Sequence, residues 1–182
     1  MEEIEVKILD IDKKEIIKKI ESWGAKKTFE GDMHVSFYDF PDKRLSKKKS
    51  MLRLRTKGPI SELTLKSNTR KDVAKIATEE NIDVSNHRTT ERILECLGMA
   101  IIKKIAKNRI SYTLGKIHFE IDTFSGYPSF LEVEAPTLLE IEATVARLGY
   151  MMKDTKPWTG KDVINYYKQK KARNQLLGFS RK

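Results

Sequence analysis

The chain has 182 residues, and its 36 lysines and arginines outnumber its 26 aspartates and glutamates, which gives a formal net charge of +10. Hydrophobic residues make up 39% of the chain and charged residues 34%, which excludes a disordered chain and suits one domain with a sizeable core. The single cysteine, Cys96, excludes a disulfide framework and a cysteine-based zinc site. The acidic start is unlike a signal peptide, and the apolar runs are too short to span a membrane. We therefore expect a soluble, cytoplasmic protein.

The first part of the chain predicts strands with two helices between them. Residues 2–10 alternate charged and apolar side chains, which is the period of a strand with one apolar face. Helices are predicted over 13–23, behind the N-cap residue Asp12, and over 85–97. The other predicted elements are strands at 27–40, 51–57, 60–67 and 73–84, and a lysine-rich loop at 43–50.

The last part of the chain repeats this pattern. Strands are predicted at 100–114, 116–124 and 129–135, and helices at 137–148 and 159–177. Cys96 lies on an apolar helix stripe and is predicted to be in the core, and Trp158 is predicted to pack the last helix. Many antiparallel strands with helices inserted at intervals indicate a single α+β domain.

Charged residues on the predicted strands are sorted by strand. The first and last strands carry pairs of carboxylates two residues apart, and middle strands carry pairs of bases at the same spacing. These pairs are Glu3 and Glu5, Glu132 and Glu134, Arg53 and Arg55, and Lys107 and Arg109. A sheet with one solvent-facing charged side explains each pair taken alone. The sorted set favours a sheet that curls into a tunnel with its charges inside.

A charged tunnel must hold water, ions or a charged ligand, because unpaired buried charge is very unfavourable. Paired carboxylates suit a hard divalent cation such as Mg²⁺ or Mn²⁺. Paired arginines and lysines suit a string of phosphates. Together, the two kinds of pair predict a metal–polyphosphate site.

Five short motifs of acidic and basic residues follow one another along these strands. They are Glu3-Ile4-Glu5-Val6-Lys7, Arg53-Leu54-Arg55, Thr64-Leu65-Lys66, Lys107-Asn108-Arg109 and Glu132-Val133-Glu134. Their types and order resemble the CYTH superfamily, the triphosphate tunnel metalloenzymes, over about residues 2–150. The resemblance implies an eight-stranded antiparallel closed β-barrel with helices packed outside. It also implies Mg²⁺- or Mn²⁺-dependent chemistry on triphosphates.

The resemblance further implies a role for each matching residue. The metal would be held by carboxylates, which are Glu3, Glu5, Asp122, Glu132 and Glu134. The triphosphate would be held by bases, which are Lys7, Arg53, Arg55, Lys66, Lys107 and Arg109. Lys7 and Glu5 are the candidate catalytic residues that orient the attacking water. Residues 70–84 should add a base, Lys71 or Lys75, and an acid, Glu79 or Glu80; we select Lys75 and Glu80.

Three functions are compatible with these residues. The first is hydrolysis of inorganic tripolyphosphate, a nucleoside triphosphate or thiamine triphosphate. The second is a class IV adenylyl cyclase that converts ATP to cyclic AMP and pyrophosphate. The third is a module that binds polyphosphate or RNA without catalysis, although such a module has no use for the carboxylates.

The predicted organisation is a tunnel domain over 1–167 and a basic C-terminal tail over 168–182. The tail carries six bases and no acid, so it is the part of the chain that could attract nucleic acid. The expected partner is otherwise a small triphosphate, with no membrane association. We expect a monomer or a homodimer.

Overall fold

Nine antiparallel strands form one sheet in the part of the chain, residues 2–179, that the computed structural model describes. They are β1 (Glu2–Ile8), β2 (Lys26–Asp39), β3 (Met51–Lys57), β4 (Ile60–Lys71), β5 (Lys75–Val84), β6 (Ala100–Leu114), β7 (Ile117–Thr123), β8 (Phe130–Ala135) and β9 (Thr155–Lys156). Their order in the sheet is β5-β4-β3-β2-β6-β7-β8-β1-β9, and β1 also pairs with β5. The first eight strands therefore close into a barrel, which confirms the predicted tunnel.

The first strand closes the barrel. Glu5 lies opposite Lys75 of β5 on one side and opposite Glu134 of β8 on the other. The two-residue β9 pairs with the end of β1, where Lys156 lies opposite Lys7. Because β1 lies between two strands that carry charged residues, its own alternating charges face theirs inside the tunnel.

The helices lie outside the barrel. They are α1 (Lys13–Ser22), α2 (Arg44–Lys47), α3 (His87–Cys96), α4 (Leu138–Leu148) and α5 (Gly160–Phe179), with a 3₁₀ turn at Met152–Asp154. The four predicted helices are confirmed to within two residues at most ends, and Asp12 caps α1 by accepting from the backbone N–H groups of Lys14 and Glu15. The short α2 replaces part of the predicted lysine-rich loop at 43–50. The proposed start of the tail, residue 168, lies within α5.

The main hydrophobic core lies between the barrel and the helices α1 and α4. Its fully buried side chains include Val6, Phe119, Val133, Ile141 and Val145. Val6 and Val133 point outward from β1 and β8, which leaves the charged residues beside them inside the barrel. Each such apolar side chain stabilises the fold by about 1.5 to 3 kcal/mol. The core thus fixes which face of the sheet forms the tunnel.

Two smaller clusters attach α3 and α5. From α3, Leu94 packs with Tyr38, Leu52 and Leu54. The prediction that Cys96 is a core residue is wrong, because its side chain is exposed: the helix presents little more than one residue to the sheet.

The helix α5 packs more extensively. Val163 and Tyr167 pack against Phe124 and Phe130 at the end of the tunnel. Trp158 contacts Tyr166 with ring centroids 5.3 Å apart, as predicted. In residues 2–179, no helix combines the length and the apolar character needed to cross a membrane.

Candidate active site

The barrel encloses a cavity of about 540 Å³. Among the described residues, eight carboxylates and seven cations interact at its charged centre. The carboxylates are Glu3, Glu5, Glu62, Glu79, Glu120, Asp122, Glu132 and Glu134, and the cations are Lys7, Arg53, Arg55, Lys66, Lys75, Lys107 and Arg109. Each cation forms an ion pair with at least one carboxylate. The tunnel charges are therefore close to neutralised within the protein.

The ammonium group of Lys7 lies between two carboxylates. Its Nζ is 2.5 Å from Oε1 of Glu5 and also contacts Oε2 of Glu132, while Lys75 reaches the other Glu5 oxygen at 3.1 Å. Burial opposes charge on Lys7, but Glu132 and Glu5 raise its pKa above the ordinary range. Burial likewise opposes ionisation of Glu132, but Lys7 and Arg109 hold its pKa well below the usual value. Lys7 is thus a cation held between two ionised carboxylates at neutral pH.

Glu134 has the opposite environment, although it is only two residues from Glu132 on β8. Burial, a hydrogen bond with Glu3 and the charges of Glu3, Glu132 and Glu5 raise its pKa to about 10. Glu134 therefore carries a proton at neutral pH. Because neighbouring carboxylates and burial keep Glu134 neutral, its surroundings lack positive charge.

Asp122 binds two cations of the neighbouring strand. Arg109 donates to it through Nε and Nη2, each at 2.6 Å, and Lys107 donates through Nζ at 2.6 Å. Burial and the neighbouring Arg109 lower the pKa of Lys107 to about 8, against the pull of Asp122. Two buried cations thus share one carboxylate, and this favours the binding of a further anion to them.

The arginines of β3 have donors to spare. Arg55 pairs with Glu62 at 2.8 Å, and Arg53 lies 3.7 Å from Glu79. Among the described residues, the buried Nε atoms of both arginines have no hydrogen-bond partner. Burial and the charge of Arg53 lower the pKa of Arg55 to about 10. An incoming anion would satisfy these donors.

The structure resolves the alternatives left open for β5. Lys75 is buried in the tunnel, whereas Lys71 is exposed and pairs with Asp162 at 2.6 Å. The selection of Glu80 is wrong, because Glu80 is exposed on the outer face opposite Leu65. Its neighbour Glu79 lies opposite Lys66 and contacts it inside the tunnel.

Two further carboxylates, Glu62 and Glu120, were missed as site residues. Glu62 shares a strand face with Thr64 and Lys66, and Glu120 shares one with Asp122. Glu120 lies 3.4 Å from Arg109 and accepts a hydrogen bond from Ser111 at 2.5 Å. The period-two spacing from a predicted site residue was the signal that could have identified both.

The carboxylates supply the oxygen ligands that a hard divalent cation prefers. Within residues 2–179, no group of three or more acidic, histidine or cysteine side chains stands arranged to hold a metal. The ammonium group of Lys7 occupies the space between Glu5 and Glu132. The tunnel carboxylates therefore suit Mg²⁺ or Mn²⁺ once the lysines pair with other anions. Phosphates are suitable anions.

Comparison with known protein families identifies the fold. A family model, the CYTH domain, matches residues 1–147. The chain belongs to the CYTH family. No curated protein gives a significant match to it.

Solved structures share the CYTH fold over most of their length. A proposed adenylate cyclase from Vibrio parahaemolyticus is 19% identical, with a TM-score of 0.78 over 90% of this chain and 97% of that one. The PH1012 protein of Pyrococcus horikoshii is 24% identical, with a TM-score of 0.71 over 86% and 96%. A proposed adenylyl cyclase from Hippeastrum, described with a dominant triphosphatase activity, is 13% identical, with a TM-score of 0.64 over 91% and 95%. The CYTH family is thus consistent with an enzyme of either kind.

One end of the CYTH tunnel has a different lining. Its wall includes the apolar side chains of Val35, Phe37, Ile105 and Phe124, and Thr159 and the first two residues of α5 border it. Ser46 of α2 and Ser50, which follows that helix, also line it. This end of the cavity offers an apolar surface beyond the charged centre.

A buried aspartate shapes the loop at this end. Asp39 is 1% exposed, and its carboxylate accepts hydrogen bonds from the backbone N–H groups of Phe40, Leu45 and Ser46 and from the Ser46 hydroxyl. These bonds fold residues 40–46 into a tight turn and hold Ser46 at the cavity. Asp39 is therefore a positioning residue for the tunnel mouth.

Proposed function

We propose that this CYTH protein hydrolyses a triphosphate in its tunnel with the help of Mg²⁺ or Mn²⁺. The observation that carries the proposal is the set of buried carboxylates and cations that neutralise one another on facing strands. A metal–triphosphate complex matches both halves of this set. It brings positive charge for the carboxylates and negative charge for the lysines and arginines, so each protein group exchanges one ionic partner for another.

The carboxylates would hold the metal. The proposed ligands are Glu3, Glu5, Asp122, Glu132 and Glu134, and the proton on Glu134 would leave when the metal arrives. When bound, the metal neutralises phosphate charge and polarises the phosphorus–oxygen bonds. The protein's part is to keep these side chains on rigid neighbouring strands, so that little reorganisation is needed.

The cations would hold and align the phosphates. Arg109 offers a planar fork of donors once Asp122 turns toward the metal, and Arg53 and Arg55 already present unused Nε donors. Lys66, Lys75 and Lys107 add point charges around them. Positioning and charge neutralisation supply most of the catalysis in phosphoryl transfer.

Lys7 and Glu5 would divide the work on the attacking water. The pKa of Lys7 is raised by its carboxylate neighbours, so Lys7 stays protonated and acts as a donor rather than as a base. Glu5 is ionised, because Lys7 and Lys75 outweigh burial and keep its pKa low. A carboxylate beside the phosphates can accept a hydrogen bond from water and direct it toward phosphorus.

A second candidate is adenylyl cyclase activity. The observation that favours it is the apolar wall of Val35, Phe37 and Ile105 at one end of the cavity, which could receive an organic group attached to the triphosphate. The proposed adenylyl cyclase from Hippeastrum, which shares this fold, is described with a dominant triphosphatase activity. Both reactions would use the same charged centre.

Product analysis distinguishes the candidates. Pure protein is incubated with Mg²⁺ or Mn²⁺ and, separately, with tripolyphosphate, ATP or thiamine triphosphate. Orthophosphate release indicates a triphosphatase, whereas cyclic AMP with pyrophosphate indicates a cyclase. Absence of turnover with every substrate, in protein shown to be folded, would refute both.

A cytoplasmic location and a monomeric or homodimeric state remain predictions.

A further inference from the structure

A second groove opens beside the tunnel, between the start of β6 and the helix α5. It has a volume of about 410 Å³, and four lysines line it: Lys103 and Lys104 from β6, and Lys161 and Lys168 from α5. The remaining lining is mostly apolar or neutral, with Tyr127 and Asn165 among it. The groove thus concentrates positive charge on the outside of the barrel.

These lysines differ from neighbouring lysines in forming no ion pair among the described residues. Within the described residues, none of the four takes part in an ion pair, although Lys71 pairs with Asp162 at 2.6 Å and Lys170 with Asp10 at 3.0 Å around the same helix. Partial burial and the charges of Lys161 and Lys168 lower the pKa of Lys103. The Lys103 ammonium is therefore close enough to those of Lys161 and Lys168 to be repelled by them, and an anion would relieve that repulsion.

The groove and the tunnel share a wall. Lys103, Ile105, Phe124 and Lys161 line both cavities. At the charged centre of the tunnel the cations are paired with carboxylates, whereas the groove lysines form no ion pair within the described residues. An anionic chain that entered the tunnel would therefore meet uncompensated positive charge where it emerges.

We infer that the groove binds a linear inorganic polyphosphate along the part of its chain that extends beyond the tunnel. Lysines are point charges that suit closely spaced phosphates. Single-stranded nucleic acid would need aromatic rings free to stack with bases, but the ring of Tyr127 stacks on Tyr167 at 5.8 Å. The placement of the chain's end in the tunnel rests on the proposed function; binding to the groove does not.

The test is a binding measurement without turnover. Long-chain inorganic polyphosphate and tripolyphosphate are titrated into the protein in EDTA, and the affinities are compared between two variants of equal net charge. The groove variant is Lys104→Glu with Lys168→Glu, two exposed positions outside the tunnel lining. The control is Lys18→Glu with Lys116→Glu, which are also exposed but lie on α1 and in the β6–β7 turn.

We expect the groove variant to bind long-chain polyphosphate at least about tenfold more weakly than the wild type, with a shallower salt dependence, because fewer phosphates are neutralised. Tripolyphosphate affinity should change by less than about twofold in both variants. The affinity of the control variant for long-chain polyphosphate should also change by less than about twofold. Thermal unfolding checks that each variant is folded, and Lys104→Gln with Lys168→Gln repeats the test without introducing negative charge.

Three results would overturn the inference. The first is equal weakening of long-chain binding in the groove and control variants. The second is equal weakening of both ligands in the groove variant. The third is competition by single-stranded RNA at the same phosphate concentration as strong as that by polyphosphate. The assay measures binding and needs no hydrolysis. An inactive tunnel would refute the proposed function, but the binding test of the groove would still give an answer.

Discussion

Replacing Glu132 and Glu134 by glutamine, one at a time, tests the electrostatic account of the tunnel. The two residues lie two positions apart on β8, face the same lumen and undergo the same change. Glu132 is an ionised partner of Lys7, whereas Glu134 carries a proton because its pKa is raised to about 10. The amide resembles the protonated acid, so the two substitutions should affect stability differently.

The magnitude follows from the partners that each residue loses. Removing one member of a buried ion pair typically destabilises a protein by 3 to 5 kcal/mol. We expect about 3 kcal/mol for Glu132→Gln, at the lower end of that range, because Glu5 still lies 2.5 Å from Lys7. For a chain of this size, that corresponds to a melting temperature lower by about 6 to 12 °C. Glu134→Gln should melt at or above the wild-type temperature.

The assay is thermal unfolding in EDTA at neutral pH, followed by turnover at ordinary Mg²⁺ or Mn²⁺ concentration. If both residues are metal ligands, both variants lose metal-dependent turnover, although only one loses stability. Equal losses of stability would refute the assignment of different protonation states. A variant with full turnover would remove its residue from the proposed metal site.

Three other predictions concern the metal, the mouth and the substrate. Mg²⁺ affinity in the absence of substrate should rise with pH below about 10, because the metal must displace the proton of Glu134; an affinity independent of pH, measured by titration calorimetry, would contradict this. Asp39→Ala should lower the free energy of unfolding by about 3 kcal/mol and speed hydrogen exchange in residues 40–46, because four donors lose their acceptor. The control is Asp83→Ala, at an exposed position on β5 outside this turn, and equal exchange in both variants would be evidence against this role. At a hundredfold excess over its Kd, tripolyphosphate should stabilise the protein by about 2.7 kcal/mol and raise the melting temperature more than orthophosphate does; equal shifts would indicate that the basic side chains do not form a polyphosphate site.

The barrel was predictable because charge and apolarity alternate cleanly on most strands. In β1, Glu3, Glu5 and Lys7 alternate with buried apolar residues, and the same period in β8 assigns Glu132 and Glu134 to the lumen. When the charged faces of two strands both alternate with apolar faces, those charged faces can be predicted to point into the same interior. The sorting of acids and bases by strand then indicated the chemistry.

Alternation must be followed from one residue to the next along a strand. Glu79 and Glu80 are adjacent acids, and Glu79 shares the face of Lys75 four residues before it, so the period of two could have selected Glu79. The pairing of β5 with β4 then puts Glu79 opposite Lys66. Helix periodicity likewise predicted Cys96 as core without knowing how little of α3 the sheet would cover. The lysine groove depends on the approach of α5 to β6, two elements far apart in the chain. Such juxtapositions come from tertiary packing, which local patterns do not encode.

The pairing of β1 has a consequence for how the protein reaches its native state. Every strand that β1 pairs with is made later: Ile4 lies opposite Ile76 of β5 and opposite Ala135 of β8, which emerges roughly 130 residues later. The strand β1 can pair with β5 once β5 exists, but the barrel closes only when β8 joins the other edge of β1. Closing so long a loop is slow, and β1 carries Glu3, Glu5 and Lys7. During refolding, metal and phosphate binding should consequently recover after the secondary structure of the hairpins β3–β4 and β6–β7, with the rate of barrel closure.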